Sequence, residues 1–337
     1  MRLKEISVLA LSLLCIACVE KAGVENNDGF VDDIVIKTTP VRNQGDTPLC
    51  WAYAMLATIE SERLMKGDSV TLSPDYLARL WLQEQARTYY LTRGESNVSL
   101  KGMISLTPRL MERYGIEPYD NYHSFGETNW DVLCRTAKEV ARASTSLRML
   151  DNRLGDILDK RVGFLPKSLF VQGMSYTPRQ LAESVCLPDN YMFMTSFSHH
   201  PFGEDIVLET PDNRLLDTYH NIPIDSLMNT IVKALNDGHP VCWEGDISEP
   251  GFDFGNGVAA LANDDAPVTQ KRRQRAFEKF ETTDDHCMEL CGMAHDKHGR
   301  RFFIAKNSWG NSNRYNGFMY LSYNYVKMKT IAIAVAR

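Results

Sequence analysis

PVRNQGDTPLCWAYAMLATIE, residues 40–60, is the stretch on which the rest of the chain turns. Turn-forming residues (Asn43, Gly45, Asp46, Pro48) run straight into the dense apolar segment Trp51 to Ala57. That transition reads as a loop feeding a helix buried on nearly all sides, which Lys66, Gly67 and Asp68 bring to a stop. Cys50 then stands at a helix N-terminus, where unpaired N–H groups and the positive end of the dipole favour a thiolate. Gln44 lies on a loop able to fold back and offer its amide to an oxyanion beside Cys50. Taken alone, Cys50 reads as an inert core cysteine; the far end of the chain changes that.

Residues 284–310 read DDHCMELCGMAHDKHGRRFFIAKNSWG. His286 opens one apolar run, the polar stretch from His295 to Arg301 interrupts it, and Phe302 to Ala305 is a second run ending in Asn307-Ser308-Trp309-Gly310. Two strands joined by a hairpin bring His286 beside Asn307. A cysteine nucleophile needs an adjacent base, and the base needs a third group to orient it. Asn307 supplies an amide oxygen for the imidazole N–H, and Trp309 can shield that bond from water.

Gln44-Gly45, Cys50-Trp51-Ala52, a distant His286 and Asn307-Ser308-Trp309-Gly310 together resemble the papain-like cysteine peptidases in order and spacing. Pro240 to Ile247 (PVCWEGDI), Leu72 to Leu77 (LSPDYL) and Tyr219 to Pro223 (YHNIP) are similar to the branch of bleomycin hydrolase and bacterial aminopeptidase C. The resemblance implies an α+β, two-lobed fold with a helical lobe carrying Cys50, a β-barrel-like lobe carrying His286 and Asn307, and a cleft between them. It implies a Cys50–His286–Asn307 catalytic set, an oxyanion hole of Gln44 and the Cys50 N–H, a peptide or protein substrate and no cofactor. The family's cleft-lining glycine pair is reduced here to Gly102, after Lys101. Pro48-Leu49 stands where papain has Gly-Ser, so Leu49 is expected to place bulk beside the thiol. Thr47 occupies the position of a disulfide cysteine common in papain relatives.

The chain of 337 residues is ample for such an enzyme, and a net charge of −6 argues against a general nucleic-acid binder. Arg2 and Lys4 precede an apolar run from Ile6 to Ala17, too short to span a bilayer, which reads as an export signal over residues 1–18. Leu14-Cys15-Ile16-Ala17-Cys18 resembles a bacterial lipobox with Cys18 as the lipidated residue, so a membrane-anchored lipoprotein is expected, with a soluble exported protein as the alternative. Residues 19–33 read as a polar tether and 34–337 as the peptidase domain, its helical lobe mainly 45–185 and its β lobe mainly 186–337. Cys134, Cys186, Cys242, Cys287 and Cys291 lack a framework spacing and read as buried thiols.

Between these landmarks the pattern predicts a strand at 34–39, helices at 50–65, 73–89 and 101–114, a long helical run at 130–158, a helix at 179–185, a strand at 191–197, a helix at 225–235 and a strand at 241–245. Pro108 is expected to kink or interrupt its helix. Residues 318–337 read as strand, turn and strand with no arm left to block the cleft. In bleomycin hydrolase such an arm makes an exopeptidase, so endopeptidase action is expected here, with aminopeptidase action or an inactive binding protein as alternatives. No metal is expected. Cys287 and Cys291 sit about 13 Å apart along a strand, too far for one zinc with His295 and His298. The His199-His200 pair reads as a loop or pocket rim rather than a metal site, since adjacent residues on an extended chain would point to opposite sides.

Overall fold

Apolar density after Cys50 produces the central helix. In the computed structural model, which describes residues 24–25, 29–123, 128–171 and 173–337, this helix spans Cys50–Met65 and buries Trp51, Met55, Leu56 and Ile59. Two helices pack on it. The first, Pro74–Leu91, begins with Ser73 accepting the Tyr76 N–H and with proline at its first position, both favourable starts. The second, Leu106–Tyr114, is shorter than expected. Pro108 is its third residue, in the first turn where a backbone N–H has no intrahelical acceptor, so the ring is accommodated without a break.

The run at 130–158 is two helices rather than one, Trp130–Ala143 and Leu147–Arg161. Ser144, Thr145 and Ser146 divide them. The Ser144 hydroxyl turns back to the Val140 carbonyl, and Ser146 caps the next helix by accepting the Met149 N–H at 3.2 Å.

The other half is a mixed sheet. Its strands run in the order Glu204–Val207, Thr218–Asn221, Tyr191–Thr195, Thr330–Ala336, Val241–Gly245, His286–Asp296, Arg301–Lys306, Phe318–Ser322, Val258–Ala259, Phe252–Asp253. His286–Asp296 lies near the middle. One edge pairs from Glu289 to His295 with Arg301–Lys306; the other pairs first with Val241–Gly245 and then with Phe30–Val35. Bulges at Leu290/Gly292 and Met293/Ala294 bend it. Gly292 is required at the first of these, because a Cβ there would lie 2.3 Å from the Ile34 carbonyl oxygen.

Two expectations are corrected. The strand placed at 34–39 is Phe30–Val35, so the tether predicted over 19–33 does not extend through residue 33. Asp32 and Asp33 gave this strand a linker-like composition, but Phe30 stacks on Tyr320 at 4.1 Å and anchors it. The turn predicted after Ser322 is a helix, Tyr323–Lys329, capped by the Ser322 hydroxyl. The export signal and Cys18 lie outside the described residues. No helix among the described residues is long and apolar enough to cross a membrane.

The two halves meet where the Cys50 helix lies against the His286 strand. A buried polar clamp fixes that seam. Glu60 accepts from Thr39 Oγ1 (2.5 Å) and the Leu72 N–H (2.6 Å) and pairs with Arg42 (3.3 Å). Lys306 donates to Thr39 Oγ1 at 3.0 Å and faces Glu289 at 3.5 Å. Removing one member of such a buried set costs about 3–5 kcal/mol, because it strands the partner charge. Lys306 immediately precedes Asn307, so the clamp also sets where that residue stands.

Candidate active site

Cys50 is the first residue of its helix, and no side chain caps that end. The Ala52 and Tyr53 N–H groups turn back to the Leu49 carbonyl, which tightens the first turn around the half-buried thiol. Opposite, the start of the long strand presents His286, buried at 3% exposure. His286 Nε2 lies 2.7 Å from Asn307 Oδ1. That oxygen also accepts the Ser308 N–H at 2.7 Å, while Asn307 Nδ2 faces the Met319 sulfur at 3.8 Å. The amide is therefore held with its oxygen toward the ring. Nε2 must be the protonated nitrogen, which leaves Nδ1 for the thiol.

The Cys50 thiol is held well below its ordinary range. A hydrogen bond from the Cys287 thiol and a hydrogen bond and charge from His286 outweigh burial, and the Cys287 N–H adds to them. Burial pushes the Cys287 thiol the other way, well up, so it stays a donor beside Cys50. Trp309 covers the base, its ring centroid 4.7 Å from that of His286, and is itself packed edge-on by Phe252 and Phe254.

The Gln44 loop is laced to the Asn307 segment. Gln44 N–H donates to the Ser308 carbonyl (2.8 Å), Gly310 N–H to the Arg42 carbonyl (3.0 Å), and the Ser308 hydroxyl to Gln44 Oε1 (2.5 Å). One Gln44 amide hydrogen goes to the Thr47 carbonyl at 2.7 Å, and Thr47 returns its hydroxyl to the Gln44 carbonyl at 2.7 Å. Thr47 thus ties the loop where papain relatives use a cysteine. Ser308 has a positioning role that its place between Asn307 and Trp309 hinted at but did not specify.

The remaining cleft residues are placed as follows. Gly102 sits against Trp51, whose Nε1 donates to the Leu100 carbonyl at 2.9 Å; a Cβ at Gly102 would come within 2.5 Å of Leu106 Cδ2. Leu49 is 1% exposed and belongs to the helical core. It borders an open pocket of ≈ 690 Å³ shared with Gln44, Tyr53, Tyr119 and Trp130. Its bulk is turned into the core rather than across the thiol.

Cys134, Cys186, Cys242, Cys287 and Cys291 are buried free thiols. Cys287 and Cys291 share one strand, and His295 turns to Asp33 at 2.9 Å. His199 and His200 do not diverge as an extended chain would make them: they lie in a turn, and both Nε2 atoms reach Glu209, at 3.2 and 2.6 Å. These three side chains form a possible ligand group. Gln274, however, accepts the Ser198 N–H at its oxygen and donates to His199 Nδ1 at 3.0 Å. That fixes the proton on His199 Nε2, which makes this nitrogen a donor to Glu209 rather than a metal ligand.

Sequence reasoning missed a group of acids near Cys50. Glu244, Asp284 and Asp212 each act on Cys50 or on one another. Burial, then the charges of Asp212 and Cys50, push Asp284 up to about 8, and burial raises Glu244 strongly. The folded protein therefore holds a proton on Asp284 that the unfolded chain releases near the ordinary carboxylate range. Stability is expected to fall as pH rises from about 4 toward 8 through this group. Thermal midpoints of wild type and Asp284→Asn across that window check it: the variant should show a flatter profile and gain most at the alkaline end.

No protein-family model matches the chain. It is 25% identical over 363 residues to aminopeptidase G of Lactobacillus delbrueckii subsp. lactis, covering 89% of this chain and 81% of that protein. Among solved structures, PepW from Lactobacillus rhamnosis HN001 matches with a TM-score of 0.71 at 17% identity, over 91% of this chain and 82% of that one. Procathepsin L 3 of Tenebrio molitor larval midgut gives 0.47 at 14% identity, over 95% and 75%. The chain has the papain-like fold, and in sequence it is similar to the cysteine peptidases of the aminopeptidase type.

Proposed function

We propose that the protein is a cysteine peptidase that cuts peptide bonds through a covalent acyl-enzyme. The observation that carries this is the alignment of Asn307, His286 and the Cys50 thiol, with the Gln44 amide held beside them. His286 Nδ1 takes the thiol proton, and Asn307 holds the imidazolium that forms. The thiolate attacks the carbonyl carbon, and the oxyanion is met by Gln44 Nε2 and the Cys50 N–H. Each such donor is worth about 3–4 kcal/mol in other enzymes. His286 protonates the leaving amine, and water then releases the acyl group by the same route in reverse.

Cleavage of internal bonds is the first reading. Removal of N-terminal residues is the second, supported by the similarity to aminopeptidase G. A peptide long enough to span the cleft, made once with an acetylated and once with a free amino terminus, separates them. Internal cleavage of both at comparable rates is the expected result; stepwise loss of residues from the free-amine peptide alone selects the second reading.

A further inference from the structure

Cys287 takes no part in the bond-making steps above, yet it lies against the face of the helix that carries Cys50. Cys50, Tyr53, Ala54 and Ala57 fall at i, i+3, i+4 and i+7 of the helix Cys50–Met65, so they form one stripe. Cys287 meets that stripe. It lines a small pocket with Tyr53, Ala54 and Ala57, and it belongs to the buried apolar cluster on which Cys50 packs. Its thiol is hydrogen-bonded to that of Cys50. Among the described residues the other thiols turn elsewhere. Cys291 points to the Ile304 carbonyl and Cys186 to the Leu187 carbonyl, each at 3.5 Å. Cys242 meets the Thr58 hydroxyl and Cys134 the Leu100 backbone.

The two thiols in contact differ in reach and in charge. Cys50 is half-buried and Cys287 is 1% exposed, so an oxidant arriving from solvent meets Cys50 first. Cys50 is also the thiol held low, and hydroperoxides oxidise the thiolate. Burial, then the hydrogen bond and charge of Cys50, hold the proton on Cys287. The Cys50 charge disappears once that sulfur carries an oxygen, so Cys287 becomes easier to deprotonate after Cys50 is oxidised.

We propose that Cys50 and Cys287 form a reversible disulfide on exposure to a hydroperoxide, with Cys287 as the resolving thiol. The Cys50 thiolate attacks one oxygen of ROOH; an S–O bond forms, the O–O bond breaks, and RO⁻ leaves and is protonated by water. Cys50 is then a sulfenic acid, and the peroxide has been reduced. The Cys287 sulfur attacks the Cys50 sulfur; the S–S bond forms, the S–O bond breaks, and the departing hydroxide takes the Cys287 proton and leaves as water. Closing to an S–S bond of about 2.05 Å asks only for a local shift of Cys50, whose helix end no side chain caps. A dithiol reverses the bond by thiol–disulfide exchange. The disulfide silences Cys50 and spares it the irreversible steps to sulfinic and sulfonic acid. No peptide enters these steps, so they stand apart from the peptidase reading.

The test uses the full chain, reduced, freed of reductant and treated with hydrogen peroxide. Remaining thiols are then blocked in denaturant, and the digest is read by mass spectrometry. The expected product is a peptide containing Cys50 joined by a disulfide to one containing Cys287. Dithiothreitol should remove that link and restore alkylation of Cys50 by iodoacetamide. In Cys287→Ala the same treatment should drive Cys50 to sulfinic acid, and the alkylation recovered with dithiothreitol should be about tenfold lower than in wild type. A thermal melt checks that the variant is folded; if it is not, the wild-type map decides by itself. Wild-type Cys50 found still reduced, as sulfinic acid, or joined to a different cysteine overturns the proposal. So does a folded Cys287→Ala protein whose Cys50 recovers as fully as wild type. A chain that forms the link but cuts no peptide would refute the peptidase reading and leave this one in place.

Discussion

Replacing Cys50 with alanine is expected to abolish hydrolysis and to leave the fold in place. The side chain loses one sulfur atom at a half-buried position, and no cap or ion pair depends on it. The expected change in stability is within about 1 kcal/mol. Activity is different, because in the proposed mechanism the Cys50 sulfur forms and breaks the acyl bond. Loss of a nucleophile that acts as a unit with its base costs on the order of 10⁶-fold in kcat. The measurement is kcat/KM on a fluorogenic peptide, alongside labelling by an epoxide inhibitor and a thermal melt. Wild type should label once, and Cys50→Ala not at all. Turnover retained by a folded Cys50→Ala protein, with no label on Cys287, would remove Cys50 from the role assigned to it.

Cys287 makes that control necessary. It is the nearest second thiol, and its deep burial keeps it protonated. A protonated thiol is a poor nucleophile. The contrast between two cysteines in contact shows how a site divides their tasks. The thiol at the helix terminus beside the imidazole is held low, and the one within the strand is held high by burial.

What was legible in the sequence was local. Apolar density after Cys50, the apolar pair of runs around residues 295–301 and the turn formers in both loops are short-range patterns, and they set helix, hairpin and loop where the structure has them. What was not legible depends on distant partners. Phe30–Val35 reads as an acidic linker until Tyr320 is brought against Phe30. Glu60 ends the quoted stretch without any sign of the partners it meets, Thr39, Arg42 and Leu72. Glu244 sits in a strand whose neighbours are apolar, and only the register with Cys287 turns it toward the nucleophile. His199 and His200 read as loop residues, as they are, but nothing local shows that both rings converge on Glu209. In each case the missing information was a pairing across many residues, which no window of sequence contains.

His286→Ala is expected to cost far more than Asn307→Ala, and the ratio tests which residue is the base. His286 carries the proton between thiol and leaving amine, so its removal should match the loss seen for Cys50→Ala, on the order of 10⁶-fold. Asn307 touches no reacting atom. It fixes the tautomer through the 2.7 Å contact to Nε2 and is itself held by the Ser308 N–H. An orienting partner of this kind costs roughly a hundredfold less than the base it orients. Asn307 is 2% exposed, so the alanine variant also leaves a small cavity and an unpaired Ser308 N–H. A thermal melt must therefore accompany the kinetics, and the pH–rate profile supplies the readout that packing alone would not move. With Asn307 gone the imidazolium loses its acceptor, so the alkaline limb, where the ion pair gives up its proton, should shift to lower pH. Equal losses in the two variants at unchanged stability, with the alkaline limb in place, would mean that Asn307 does not orient His286 and that the base is held by something else.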